Sequence, residues 1–289
     1  MVESYKASQK IATVIKYIVL IIVGIIMIYP LLWMIGATFM SNAEIYGSIS
    51  PIPMNWDFSG WAKAATTTLG GSINIWQAMI NTYLIVIPKV IFTIISSTIV
   101  AYGFGRFEFV GKKVFFAIMV STLFLPQVVM NVPQFIMYNS WGWVNSPLYL
   151  PLIASTLFAT ESYFVFMLVQ FLRSVPRELD EAAKIDGCNA FQILVIIICP
   201  MLKPAMVSAG LFQFMWSSND FLGPLLYVTS PERYPAAIFV RSAVGDSGAT
   251  VEWNLVLALS LISILPSLIV FFLAQRQFVE GISAGSVKG

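Results

Sequence analysis

From Tyr17 to Ala43 no residue carries a charge, and most are Ile, Leu, Val, Met or aromatic. A run of that length exceeds the ~20 residues an α-helix needs to cross the ~30 Å hydrocarbon core of a bilayer. Inside a bilayer only helices and closed barrels satisfy their own backbone groups. Further apolar runs follow at about residues 75–104, 114–138, 148–172, 193–216 and 254–275. Composition agrees with this pattern. The chain is 58% hydrophobic and 10% charged, where a soluble domain carries about 25% charged residues. The expected fold is all-α: a polytopic membrane protein with six transmembrane helices and one transmembrane domain over 1–289. The first apolar run, about Ile11 to Phe39, is too long for a signal-peptide core and has no convincing small-residue cleavage site, so it is expected to be retained as the first transmembrane helix.

Several chemistries are excluded. There is no His, and the two cysteines, Cys188 and Cys199, match no metal-site spacing and are expected to be free thiols. No G-x-x-x-x-G-K-[ST] loop is present, so the chain is expected to bind no nucleotide and no other cofactor. No catalytic constellation is found, and the reading is a membrane subunit, not an enzyme. A net charge of +2 does not argue for nucleic acid.

Basic residues set the orientation, because loops on the cytoplasmic side are enriched in Lys and Arg. With the N-terminus inside, eleven of the sixteen basic residues fall on the inner side. Lys63, Arg233 and Arg241 fall outside, and Lys89 and Lys203 lie within spans. Both termini are therefore expected in the cytoplasm, with 1–10 and 276–289 as cytoplasmic ends and a permease core at about 75–275. A polar loop of moderate length, carrying a short surface helix, is expected over 41–74.

The most polar segment lies at 173–192, on the cytoplasmic side by the same count. Ser174 and Pro176 read as a helix start, and Glu178, Asp180 and Glu181 suit the positive end of a helix dipole. Gly187 reads as a stop, which makes a helix of about eleven residues, roughly 16 Å long. Leu179, Ala182 and Ala183 are expected on one face, kept flat by the alanines. Asn189 reads as the cap of a second helix that enters the apolar Phe191–Cys199 run.

The spacing Glu181-Ala182-Ala183, then Gly187, then Ile197 and Pro200 resembles the cytoplasmic coupling loop of ABC importer permeases. Cys199 stands where that family usually has Leu. The resemblance extends to PLLWMI from Pro30, Asn81-Thr82, AYGFGRFEFVGKK from Ala101, FLRSVPREL from Phe171, Asn219-Asp220-Phe221 and the AGSVKG ending. These stretches are similar to the carbohydrate-uptake branch, in particular to the type of the smaller membrane subunit of maltose transporters, over about residues 11–289. The resemblance implies a second, homologous permease subunit, two ATPase subunits that hold ATP and Mg, and a solute-binding protein outside. It implies a sugar or oligosaccharide as cargo and a prokaryotic cytoplasmic membrane as the location. It assigns ATPase coupling to Glu181, Ala182, Ala183, Asp186 and Gly187, and to a tail containing Ser286 and Lys288. In that reading Glu181 pairs with a basic ATPase residue, and Gly187 is a hinge that passes motion to the fifth span.

Polar groups inside spans are candidates for the substrate path, since their burial in lipid is costly. Glu161 is expected near the centre of the fourth span, with Tyr163 beside it. Gln127 and Asn131, with Gln134, accompany Pro126 and Pro133 in the third span, and Asn219 and Asp220 follow the fifth. Each has a second reading. Glu161 bonds a neighbouring helix, the amides satisfy carbonyls freed by proline, and Asn219-Asp220 caps a helix. Lys89 pairs with Glu161 or reaches to an interface, and Lys203 is expected to snorkel. An ion-gradient transporter and an ABC permease for another solute, such as an amino acid, are the alternatives.

Overall fold

The computed structural model describes residues 2–245 and 251–286, with side chains over 10–244 and 251–275. The chain divides into two compact units. One comprises Met1–Thr68 with Val240–Ile262, and the other Leu69–Phe239 with Ser263–Gly289.

In the first unit, helix α1 (Val2–Ala37) contains the span Lys10–Ala37, exposed along most of its length and buried only at its end, at Gly36 and Ala37. The loop after it carries two helices, α2 (Asn42–Gly47) and α3 (Ser59–Thr66), where one was expected. Asn42 fastens α2 to the segment before the last helix. Its Nδ2 donates to the Val251 carbonyl at 2.7 Å, and its Oδ1 accepts from the Trp253 N–H at 3.0 Å. Asp57 Oδ1 accepts from the Ser59 N–H at 2.8 Å, and that bond with the Ser59 side chain holds its carboxyl below the usual range. Phe39, Trp56, Phe58 and Trp61 form one ring cluster.

The second unit is built around α4 (Ile75–Arg106), which packs against two later helices introduced below. Asn74 caps its start by accepting from the Gln77 N–H at 3.0 Å, as short polar caps do. Asn81 Nδ2 donates to the carbonyls of Glu232 and Tyr234 at 3.0 and 3.2 Å. The next residue, Thr82, accepts from the Ala236 N–H at 2.9 Å through its hydroxyl.

The third span is not a straight helix. Helix α5 (Lys112–Ser121), a 3-10 turn at Thr122–Phe124 and helix α6 (Gln127–Ser140) meet at a bend of 102°. Pro126 is the cause: it forces Leu125 into extended backbone (ψ 123°) and supplies no N–H. Pro133 is carried inside α6.

The fourth span is also interrupted. After α7 (Leu150–Ile153) comes a 3-10 stretch at Ala154–Phe158, then Ala159 in left-handed backbone (φ +51°), then α8 (Ser162–Leu172). Glu161 is therefore not mid-helix but the residue that precedes α8. Its carboxylate sits at a break, where free helix N–H groups begin.

The polar segment folds as α9 (Glu178–Ile185), eight residues where eleven were expected, because Arg177 already takes the cap position. The fifth span follows as α10 (Ala190–Gln192), a π-helical stretch at Ile193–Ile198, and α11 (Cys199–Ser218). Pro200 lacks an N–H, and in α-geometry its ring would strike the carbonyl four residues back. Wider π spacing relieves that clash. Helices α8 and α11 are the partners of α4. Short helix α12 (Leu222–Tyr227) and α13 (Ala236–Gly245) lead to the last helix, α14 (Trp253–Ser286).

Among the described residues five helices are long and apolar enough to cross a bilayer, or six when the bent α5–α6 pair counts as one crossing. The chain is a multi-pass membrane protein. Both cysteines are free.

Candidate functional site

The end of α9 and the start of α10 are closed by backbone logic legible in their residues. Gly187 adopts φ +86°. The Cys188 N–H bonds the Ala183 carbonyl at 2.9 Å, and the Gly187 N–H bonds the Lys184 carbonyl at 3.1 Å. This pair of bonds is a Schellman stop, which satisfies carbonyls that a helix end leaves free. Asn189 and Gln192 then exchange bonds of 2.8 and 2.9 Å in a reciprocal capping box. A tight stop and a tight start therefore join α9 to the fifth span through four residues, Asp186 to Asn189.

The inward face of α9 is Asp180 and Ala183; of the three residues expected to share a flat face, Leu179 and Ala182 are exposed together and Ala183 is turned inward. Ala183 packs in a cluster with Tyr102, Leu172, Val175, Ile193 and Ile198. Asp180 is drawn inward by a cation: its Oδ2 lies 2.6 Å from Arg106 Nε, and both side chains are about nine-tenths buried. Arg106 Nη2 also donates to the Val175 carbonyl at 2.9 Å, and Arg177 Nη2 donates to the Gly105 carbonyl at 3.2 Å. Two arginines thus cross between the end of α4 and the start of α9, each bonding the other's strand of backbone. The outward face carries Leu179, Glu181, Ala182, Ile185, Asp186 and Gly187, all exposed. Ile185 is 87% exposed at the edge of this face.

A second polar group lies in the membrane-spanning part. Glu161 Oε1 accepts from Gln213 Nε2 at 3.1 Å, and the same amide donates to Ser217 Oγ at 3.2 Å. Gln213 is 1% exposed. Glu161 Oε2 and Gln213 Oε1 are buried acceptors with no hydrogen-bond donor among the described residues. Lys89 forms no ion pair with Glu161 within 4 Å among the described residues; Glu161 instead bonds Gln213 on α11, the neighbouring-helix bond given as its second reading. Tyr163 packs its ring on Phe164, Phe212 and Trp216, with centroids at 5.3–6.1 Å.

The other path candidates do not join this group. Gln127 is exposed and Asn131 half-buried on α6, with no hydrogen bond to Glu161. Asn219 Nδ2 donates to the Met215 carbonyl at 2.8 Å, which closes α11. Asp220 Oδ1 accepts from the Gly223 N–H at 3.0 Å, the capping role anticipated as its second reading. Asp220 also lines a cavity of about 10 Å³ with Thr82, Ser217 and Ser218, room for about one water. Lys203 lines an apolar cleft of about 400 Å³ with Ile94, Cys199 and Met206. The backbone of Ser286 ends α14; its side chain and Lys288 lie outside the described residues.

Gln213 and Asp180 were missed for different reasons. Gln213 is a lone amide in an apolar run, and nothing local marks it. Asp180 looked like one acid among three in a first turn, and only tertiary structure singles it out.

Comparison with known proteins places these features in a family. The diacetylchitobiose uptake system permease protein NgcG of Streptomyces coelicolor is 26% identical over 284 residues, covering 98% of this chain and 91% of its own. The trehalose/maltose transport system permease protein MalG of Thermococcus litoralis is 30% identical over 283 residues, covering 96% and 98%. A chain of a bacterial ABC transporter involved in the import of the acidic polysaccharide alginate shares the fold, with a TM-score of 0.79 at 20% identity over 94% of this chain and 98% of that one. The family model described as binding-protein-dependent transport system inner membrane component matches residues 90–278. That stretch holds α8, α9, the capping box and Gln213, and by it the chain belongs to the family of binding-protein-dependent transport system inner membrane components.

Proposed function

We propose that the chain is one permease subunit of an ATP-driven importer for a sugar or oligosaccharide. It pairs with a second, homologous permease and rests on two ATPase subunits that hold ATP and Mg. It receives cargo from an extracytoplasmic solute-binding protein. Six crossings, with both termini in the cytoplasm of a prokaryotic cell, put α9 on the ATPase side.

One observation carries the reading: α9 is anchored from behind and bare in front. Glu181, Ala182, Asp186 and Gly187 lie on the exposed face, while Asp180 and Ala183 hold the helix to the membrane core. A small rigid helix fastened in this way transmits a push without yielding, as two-state access switching requires. The sugar relatives support the cargo class. The acceptors of Glu161 and Gln213 beside the Tyr163 ring suit a cargo rich in hydroxyl donors.

The test is uptake of labelled oligosaccharide by proteoliposomes holding this chain, its partner permease, the ATPase and the binding protein. Uptake that needs ATP and is lost with Glu181→Ala plus Gly187→Pro, while the membrane pair still assembles, supports the reading. Uptake on an ion gradient without ATPase overturns it.

A further inference from the structure

The loop after α1 does not leave the membrane cleanly. With Lys10 and Lys16 at the near interface, ~20 residues of hydrocarbon core run from about Tyr17 to Gly36. Tyr29 lies eight residues before Ala37, ~12 Å of helix inside that end, and Trp33 lies ~6 Å inside. Yet the Tyr29 hydroxyl donates to the carbonyl of Ile49, and Trp33 Nε1 donates to the carbonyl of Ser48 at 3.4 Å. The Pro51 carbonyl rests on Gly36, where any Cβ would overlap it. The chain therefore turns after α2 and runs back alongside the last two turns of α1.

Irregular backbone at membrane depth survives only where its polar groups are satisfied. Tyr29 and Trp33 do this for the two carbonyls that reach deepest, and the Ser50 hydroxyl takes the Ile52 N–H at 3.1 Å. Glu44 Oε1 accepts the Met54 N–H at 2.5 Å at the outer rim. Between Glu44 and Asp57 there is no charge. The side chains turned outward are apolar: Ile49 is 86% exposed, Met54 79% and Ile52 69%, with Tyr46, Trp56 and Phe58 beside them. Aromatic residues of this kind settle at the headgroup level.

We infer that residues 48–54 form a re-entrant hairpin whose outer face is bilayer lipid, at the interface where α1 ends. Lipid is the occupant favoured because the hairpin is continuous with a lipid-crossing helix and lies within its crossing depth. The inference needs only that α1 crosses the bilayer, and it stands whatever the cargo or energy source.

The test uses the full chain, reconstituted in liposomes with the subunits that co-purify with it, in a Cys188→Ser, Cys199→Ala background. Single nitroxides are placed at Ile49→Cys, Ile52→Cys and Met54→Cys. Ile22→Cys serves as a lipid reference and Thr66→Cys as an aqueous one. Power saturation is expected to give oxygen contact exceeding contact with a water-soluble nickel complex at least threefold at Ile49 and Ile52, nearer the Ile22 value than the Thr66 value. Adding Tyr29→Phe and Trp33→Phe is expected to raise nickel contact at Ile49 at least twofold. Nickel contact equal to that at Thr66 would place the hairpin in water, and low contact with both reagents would place protein over it. Either result overturns the inference.

Discussion

Arg106 Nε and Asp180 Oδ2 lie 2.6 Å apart with almost no exposure to solvent, which joins the end of the second span to the helix that carries the Glu-Ala-Ala sequence. The expected route of motion ran from Gly187 into the fifth span alone. Under the proposed function the ion pair offers a second route, through α4.

Removing one partner of a buried pair leaves an unmatched charge and costs about 3–5 kcal/mol. Asp180→Ala is expected to loosen α9 and abolish coupled uptake. The exchange Arg106→Asp with Asp180→Arg is expected to recover part of it. Uptake per ATP hydrolysed, measured beside the assembled amount of complex, checks this prediction.

Gly187 has open space around it, since a Cβ there would meet no heavy atom within 4 Å. Its intolerance should come from backbone alone. A left-handed conformation costs an ordinary L-residue roughly 1–2 kcal/mol, with Asn less penalised. Gly187→Asn is expected to retain most uptake and Gly187→Val to lose about tenfold. Equal loss in both, by the same transport assay, would mean that side-chain space decides.

Glu161 and Gln213 act as one unit through their 3.1 Å bond. Glu161→Leu and Gln213→Leu are each expected to reduce sugar uptake about tenfold, and the double variant no further, because coupled residues are not additive. Uptake rates at fixed protein level test this. Additive losses in the double variant would show that the two side chains act separately.

Ala159 holds φ +51° without being glycine. Ala159→Gly removes a steric penalty of roughly 1 kcal/mol, offset in part by greater freedom in the unfolded chain. A modest rise in the detergent unfolding temperature is expected. A fall would mean that the Ala159 methyl contributes more by packing against Val165 and its neighbours.

Asp57 has its carboxyl depressed by Ser59, so its contribution is present above the unfolded value of about 3.8 and is lost as pH falls below it. The group is largely solvated, so a few tenths of a kcal/mol is the scale. Asp57→Asn is expected to lower the neutral value by about that amount and to flatten the acid limb between about pH 4 and 2, where variant and parent converge. Unfolding temperatures across that range measure it.

How much was legible follows from which forces are local. Apolar runs and caps depend on neighbours in sequence, so the spans, the Gly187 stop and the Asn189 cap were readable. The breaks at Pro126 and at Ala159 to Glu161 were not, because hydropathy averages across a kink. Pro126 was visible, but a proline inside a span kinks a helix in one protein and turns it by 102° in another. Gln213 and Arg106 find their partners 52 and 74 residues away, beyond any local pattern. The burial of Asp180 was not readable either, because the arginine that draws it inward comes from another helix.

Asn81 and Thr82 bond backbone that lies 151 to 154 residues later in the chain. During synthesis the second span therefore enters the membrane with an amide and a hydroxyl whose final partners have not been made. The second span is placed early and matured late. A nascent chain that stalls before Glu232 would hold it without its lock. The permease gains this part of its structure only once synthesis has passed Ala236, so more than a hundred residues are made between the second span and its lock.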